Sequence, residues 1–80
     1  MKRSELEMHI QILQVMVHGG PLKVTHVMQK ANLNSKASKK CLALLIKQGL
    51  IEERIEAKQR AVYLVTQQGI TVLKYFGKFE

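Results

Sequence analysis

Residues 24–48, VTHVMQKANLNSKASKKCLALLIKQ, decide how the chain folds. Val24, Val27, Met28 and Ala31 recur at helical spacing and mark a short helix ending near Lys30 or Ala31. Asn32-Leu33-Asn34 then breaks the pattern. Asn tolerates the left-handed backbone that a tight turn needs, so Asn32 is the expected pivot. Asn34 or Ser35 caps a second helix, with Leu42, Leu45 and Cys41 facing inward and Gly49 ending it. Val27 and Ala31 would lock the two helices together, with Leu33 filling the gap beneath the turn. This is the spacing of a helix-turn-helix.

Upstream, Ser4-Glu5-Leu6-Glu7 reads as a capping box, in which Ser4 accepts from the Glu7 amide. Leu6, Ile10, Leu13 and Val17 repeat along one side of the helix that follows, and Met8, Ile12, Val15 and Met16 form a second apolar side. A helix apolar on two sides is packed between neighbours, which places this first helix in the middle of the fold. His18-Gly19-Gly20-Pro21 ends it.

Downstream, Ile51 and Ile55 share one face of a strand, and Val62 and Leu64 share one face of the next. Glu56-Ala57-Lys58-Gln59-Arg60 between them suits a hairpin tip. Thr66 caps a last helix carrying Ile70, Leu73 and Phe76 or Gly77 along one side. The order helix, helix, turn, helix, hairpin, helix predicts one α+β, mainly helical domain over residues 1–80. It has a three-helix core with the helix-turn-helix at about 24–48, a two-stranded β-wing at about 51–65, and a C-terminal helix at about 66–78.

The charge is distributed unevenly. The net charge is +7, and the acids are six glutamates with no aspartate. Between Met8 and Ile51 no acid occurs, while Lys23, Lys30, Lys36, Lys39, Lys40 and Lys47 do. A solvated surface normally mixes both signs; a one-signed stretch is a footprint for a polyanion, most often nucleic acid. The outward positions of the second motif helix are Ser35, Lys36, Lys39, Lys40, Ala43 and Lys47. A helix fits the major groove of DNA with its N-terminal turn nearest the base edges, so Asn34, Ser35 and Lys36 are candidates for base contact. Lysine acts mainly as a flexible point charge, which assigns Lys39, Lys40 and Lys47 to phosphates. The helix has no Arg, so modest sequence specificity is expected. Lys58, Gln59 and Arg60 would follow the backbone or enter a minor groove. Thr25, His26 and Lys30 lie where phosphate contacts are usual.

Other chemistries find little support. There are no paired carboxylates at a plausible pocket, no nucleophile–base pair and no phosphate loop, which argues against an enzyme. His9, His18, His26 and Cys41 lack the spacing of a metal site, and neither a cofactor nor a small-molecule ligand is indicated. A single cysteine excludes an intramolecular disulfide. Cys41 reads as a small core residue, with a redox switch as the lesser alternative. The longest apolar run, 41–46, is too short to span a bilayer. Leu42 and Leu45 are committed to the core, which argues against membrane-surface binding. An intracellular, soluble protein is expected.

Arg3-Ser4-x-Leu6-Glu7, Ala31-Asn32-Leu33, Leu42 with Leu44-Leu45-Ile46, Gly49-Leu50-Ile51-Glu52-Glu53 and Leu64-x-Thr66-x-x-Gly69 together resemble the small archaeal winged helix-turn-helix DNA-binding proteins, built as a winged helix plus a C-terminal dimerising helix. The resemblance covers residues 2–76. It implies homodimeric binding to double-stranded DNA, in transcription regulation or in chromatin organisation on a cytoplasmic nucleoid. Ser35, Ser38 and Cys41 depart from it, standing where relatives tend to have bulkier residues. Three of the four aromatics, Tyr75, Phe76 and Phe79, fall in the last six residues. Aromatics are enriched at interfaces, so Ile70, Leu73, Tyr75, Phe76 and Phe79 are the expected dimer contacts. The alternative is a winged helix used as a protein-interaction module. The lysines of residues 36–40 speak against it.

Overall fold

The computed structural model describes residues 4–56, 58 and 60–78. Gln59 and Phe79, and the Lys2-Arg3 start of the resemblance, lie outside the described residues. Four helices and one hairpin follow in the predicted order: α1 (Glu5–Gly19), α2 (Val24–Ala31), α3 (Ser35–Lys47), β1 (Ile51–Glu56), β2 (Arg60–Val65) and α4 (Gln67–Tyr75).

Each helix begins where a side-chain oxygen can satisfy an orphan amide, α2 excepted. Ser4 Oγ accepts from the Glu7 amide at 3.1 Å and donates to Glu7 Oε1 at 3.2 Å, so the glutamate reaches back to the hydroxyl itself. Asn34 Oδ1 accepts from the Ala37 amide at 2.7 Å, and Thr66 Oγ1 from the Gly69 amide at 3.1 Å. Lys23, at the N-cap of α2, offers no side-chain cap. The pivot of the helix-turn-helix is Asn32, whose φ of 55° is left-handed. Its amide bonds back to the Gln29 carbonyl at 3.3 Å, and the Leu33 amide to that of Met28 at 3.0 Å.

α1 occupies the centre, touching α2, α3, α4 and β2. Ile12, Leu13 and Met16 are fully buried, joined by Val27, Ala31, Leu42, Leu45, Ile51 and Leu73. The Val, Leu, Ile and Met side chains among them each contribute about 1.5–3 kcal/mol on full burial. The helical spacing puts Leu6 on the core stripe, yet it is 53% exposed. Leu6 faces an open groove between α1 and the residues that follow α4, and periodicity cannot see where a neighbour ends. Ser38 is fully buried beside Cys41 and Leu42 on the inner face of α3.

The hairpin pairs antiparallel from Ile51↔Val65 to Glu56↔Arg60. This register sets Ile51, Glu53 and Ile55 opposite Val65, Tyr63 and Ala61, on the face whose inner end joins the core. Val62 and Leu64 fall on the other face, opposite Arg54 and Glu52. Ile51 is buried, whereas Ile55, on the same face, is exposed because the hairpin has left the body of the domain by then. Leu22 adds a short third strand segment, exchanging backbone hydrogen bonds with Tyr63 at 2.8 and 3.0 Å.

Candidate nucleic-acid interface

α3 is two-faced. Its inner positions, Ser38, Cys41, Leu42 and Leu45, are buried, which fixes the outer arc of Ser35, Lys36, Lys39, Ala43, Ile46, Lys47 and Lys40 toward solvent. At 100° per residue these positions form one contiguous arc of about 140°. Lys36 and Lys39 rise from its first turns and Lys47 from its last. Lys40 marks its border and also lines a cleft of about 150 Å³ between α1 and α3, with Glu5, Met8, His9, Ala37, Cys41 and Leu44. No acidic side chain lies on this helix.

Asn34 faces two demands. It is exposed, at the end of α3 that would approach base edges, but its Oδ1 is engaged by the Ala37 amide. A bidentate contact to adenine needs both the oxygen and the nitrogen of the amide; the cap orients Oδ1 toward the helix end and takes one of its two lone pairs, which leaves the Nδ2 donors as the freer half. Ser35 is exposed and beside it.

Spacing could have shown Ile46, which sequence reasoning missed. It lies on the row of Lys39 and Ala43 and is 38% exposed. Its separation of seven residues from Lys39 puts it on the outer row. Ala43 and Ile46 give the lysine face an apolar strip, the kind of surface that meets thymine methyls.

The flanking cations are spread over other elements. Thr25 and His26 are exposed on the first turn of α2, and Lys30 on its last. On the hairpin, Lys58 is at the tip with a left-handed φ of 64°, and Arg60 begins β2 opposite Glu56; both are exposed. The shaft behind them is acidic. Glu52, Glu53 and Glu56 are exposed, Glu52 in an ion pair with Arg54 at 3.3 Å and Glu53 accepting from the Tyr63 hydroxyl at 2.9 Å. The cationic part of the hairpin is therefore its tip.

Cys41 is buried, and the burial pushes its thiol above the usual range, aided by the nearby Glu5 carboxylate and opposed by Lys40. The thiolate is the reactive form, so this environment suits packing rather than redox chemistry. Among the described residues no three side chains of metal-ligating type gather, and no helix is long and apolar enough to cross a membrane.

The residues expected at a dimer interface divide. Leu73 is fully buried in the core of its own chain and has no surface to offer a partner; the period of α4 that suggested it points inward. Ile70 is half-buried. Tyr75 and Phe76 are 83% and 42% exposed, and their rings meet edge to face with centroids 5.2 Å apart.

The family model described as "Winged helix-turn-helix" matches residues 2–80. No curated protein matches the chain. Among solved structures, the DNA-binding protein Sso10a-2 of Sulfolobus solfataricus is similar at 25% identity and a TM-score of 0.84, over 96% of this chain and 78% of that one. A MarR family transcriptional regulator from Silicibacter pomeroyi superposes at 16% identity and a TM-score of 0.81, over 88% of this chain and 48% of the regulator. The PcaV transcriptional regulator of Streptomyces coelicolor does so at 18% and 0.82, over 90% and 54%. The chain thus spans about half the length of these two regulators.

Proposed function

The chain belongs to the winged helix-turn-helix family, and from that premise we propose that it binds double-stranded DNA as a homodimer. In this reading α3 enters the major groove and the wing tip lies on the backbone or in an adjacent minor groove, in transcription regulation or chromatin organisation on the nucleoid. The observation that carries the reading is the outer arc of α3, where lysine is the only ionisable residue type. A Lys-rich helix without Arg, with its one Asn partly consumed as a cap, favours phosphate contact over base readout. Affinity would therefore depend steeply on salt and modestly on sequence.

In this reading Ser35, Lys36 and the Nδ2 donors of Asn34 reach the groove floor, with Ala43 and Ile46 against thymine methyls. Lys39, Lys40 and Lys47 take phosphates, joined by Thr25, His26 and Lys30 from α2 and by Lys58, Gln59 and Arg60 from the wing. With six to eight cations meeting phosphates, log affinity should fall with log salt at a slope of about −5 to −7. Fluorescence anisotropy on a random-sequence duplex across a salt series tests this. Replacing Lys36, Lys39 and Lys40 together by Ala should weaken binding and flatten the slope by up to about 3. A folded protein that binds no duplex at low salt would overturn the reading and point instead to a protein partner.

A further inference from the structure

The outer arc of α3 holds little that can tell one base from another by hydrogen bonding. It has no arginine for guanine and no acid for cytosine. Its lysines are flexible point charges suited to phosphates, and the Ser35 hydroxyl both donates and accepts, so it discriminates weakly. At the end of the helix, the Asn34 oxygen is engaged by the Ala37 amide. Two outer side chains remain, and both are apolar. Ala43 is exposed and falls nearest the midline of the arc, about 80° round from Ser35 where the whole arc covers about 140°. Ile46 follows one turn later and is 38% exposed.

We propose that this strip reads the C5-methyl group of pyrimidines, so that the protein prefers duplex DNA carrying that methyl, on thymine or on 5-methylcytosine, over the same duplex without it. The inference rests on the DNA reading given above and names the chemical feature that α3 selects. Position supports it first. Lys36 in the first turn and Lys47 in the last are both exposed on the same arc as Ala43. Phosphate contacts from both ends lay a helix along the groove, which sets its middle over the base edges. Size supports it next. Ala43 ends at its Cβ, with Lys39 four residues before it and Lys47 four after. The long lysines extend to the backbone while the helix comes close to the groove floor at Ala43. Chemistry then fixes what is met there. The distinguishing groups of base edges in the major groove are hydrogen-bond donors and acceptors, apart from the thymine methyl. An apolar side chain pressed on a donor or acceptor leaves that group desolvated and unpaired, which costs free energy; pressed on a methyl, it buries apolar surface. Methylated cytosine carries its methyl at the same ring position as thymine, so this contact treats the two bases alike.

Fluorescence anisotropy on the full chain tests this with four duplexes of equal length at one low salt concentration. One pair is A·T-rich, with thymine or with uracil in its place; the other is G·C-rich, with cytosine or with 5-methylcytosine. The methylated member of each pair should bind about fourfold more tightly or better, which is what burial of one such carbon contributes. Ala43→Ser and Ile46→Ser should each shrink the ratio in both pairs and together abolish it. Their salt slopes should stay as in the wild type, because no phosphate contact is lost. Ala43→Ser alone keeps the test available if Ile46→Ser does not fold. A ratio that these variants leave unchanged, or a preference for thymine over uracil with none for 5-methylcytosine, would trace the effect to duplex shape and overturn the proposal. Equal binding to all four duplexes overturns it too and leaves the DNA reading standing, whereas no binding to any of them overturns the DNA reading itself.

Discussion

The hydroxyl of Thr66 donates to the Gly49 carbonyl at 2.6 Å, across the junction between the end of α3 and the start of α4. The same oxygen accepts the Gly69 amide at 3.1 Å, and the Thr66 amide donates to the Leu50 carbonyl at 3.0 Å. One residue therefore caps α4 and fastens it to the segment leaving α3. Thr66→Val keeps the shape and loses both hydroxyl bonds. It should cost about 2 kcal/mol in urea unfolding, whereas Thr66→Ser should recover most of that.

Gly69 is buried in the first turns of α4, and a Cβ there would press into the Leu50 carbonyl oxygen and come within 2.6 Å of Val65 Cγ2. Both are fixed by the hairpin junction and cannot give way. Gly69→Ala should destabilise by about 3 kcal/mol or prevent folding. Gly77 has a φ of 68° with open space around it, so Gly77→Ala should cost only about 1–2 kcal/mol of backbone strain. Thermal unfolding of the two variants side by side separates crowding from conformation.

Ser38 is fully buried, and its hydroxyl has no hydrogen-bond partner among the described residues. Removing a buried, unpaired polar group relieves its desolvation, and Ala is the better helix former. Ser38→Ala should leave stability unchanged or raise it by up to about 1 kcal/mol, with DNA affinity retained. A clear loss in denaturant midpoint would mean that the hydroxyl is bonded in solution.

Asn34 can be separated into cap and contact. Asn34→Ala should lower stability by about 1 kcal/mol through the lost bond to the Ala37 amide. Asn34→Asp should keep the cap and favour the helix dipole, yet place a negative charge beside the DNA. Stability held or raised together with affinity reduced several-fold, about what one adverse charge imposes, is the expected pair of results. Unchanged affinity would make Asn34 a cap alone.

Alkaline pH should weaken the fold. Burial raises the Cys41 thiol above 9.0, and burial, the hydrogen bond to Glu53 and the charge of Glu53 raise the Tyr63 phenol above 10.0. The folded state holds both protons more tightly than the unfolded chain. Their contribution is complete below the ordinary values and is lost as pH rises through the raised ones, from about pH 9 upward. The urea midpoint should fall between pH 8 and 11, and Cys41→Ala should flatten the earlier part of that fall.

Local chemistry made most of the fold legible. The caps at Ser4, Asn34 and Thr66 and the left-handed turn at Asn32 depend on atoms within a few residues, and all four are where short-range rules put them. The inner and outer faces of α3 followed from its period, because one helix face is an intrinsic property. Ile46 was left off the outer row although its spacing from Lys39 and Ala43 places it there. The motif Leu64-x-Thr66-x-x-Gly69 was visible as a pattern, but its reason lies in the Leu50 and Gly49 carbonyls, close to it only after folding.

What the sequence determined by itself is whatever one element decides alone: helix starts, the turn, the order of elements and the lysine arc with no acid among it, whereas α4 ends at Tyr75, short of the expected 78. Which apolar side chains remain outside was decided by tertiary structure. Leu6 and Leu73 both fit an inward stripe, yet one is over half exposed and the other is sealed in the core. The spacing is a property of each helix, whereas burial depends on where its neighbours stop.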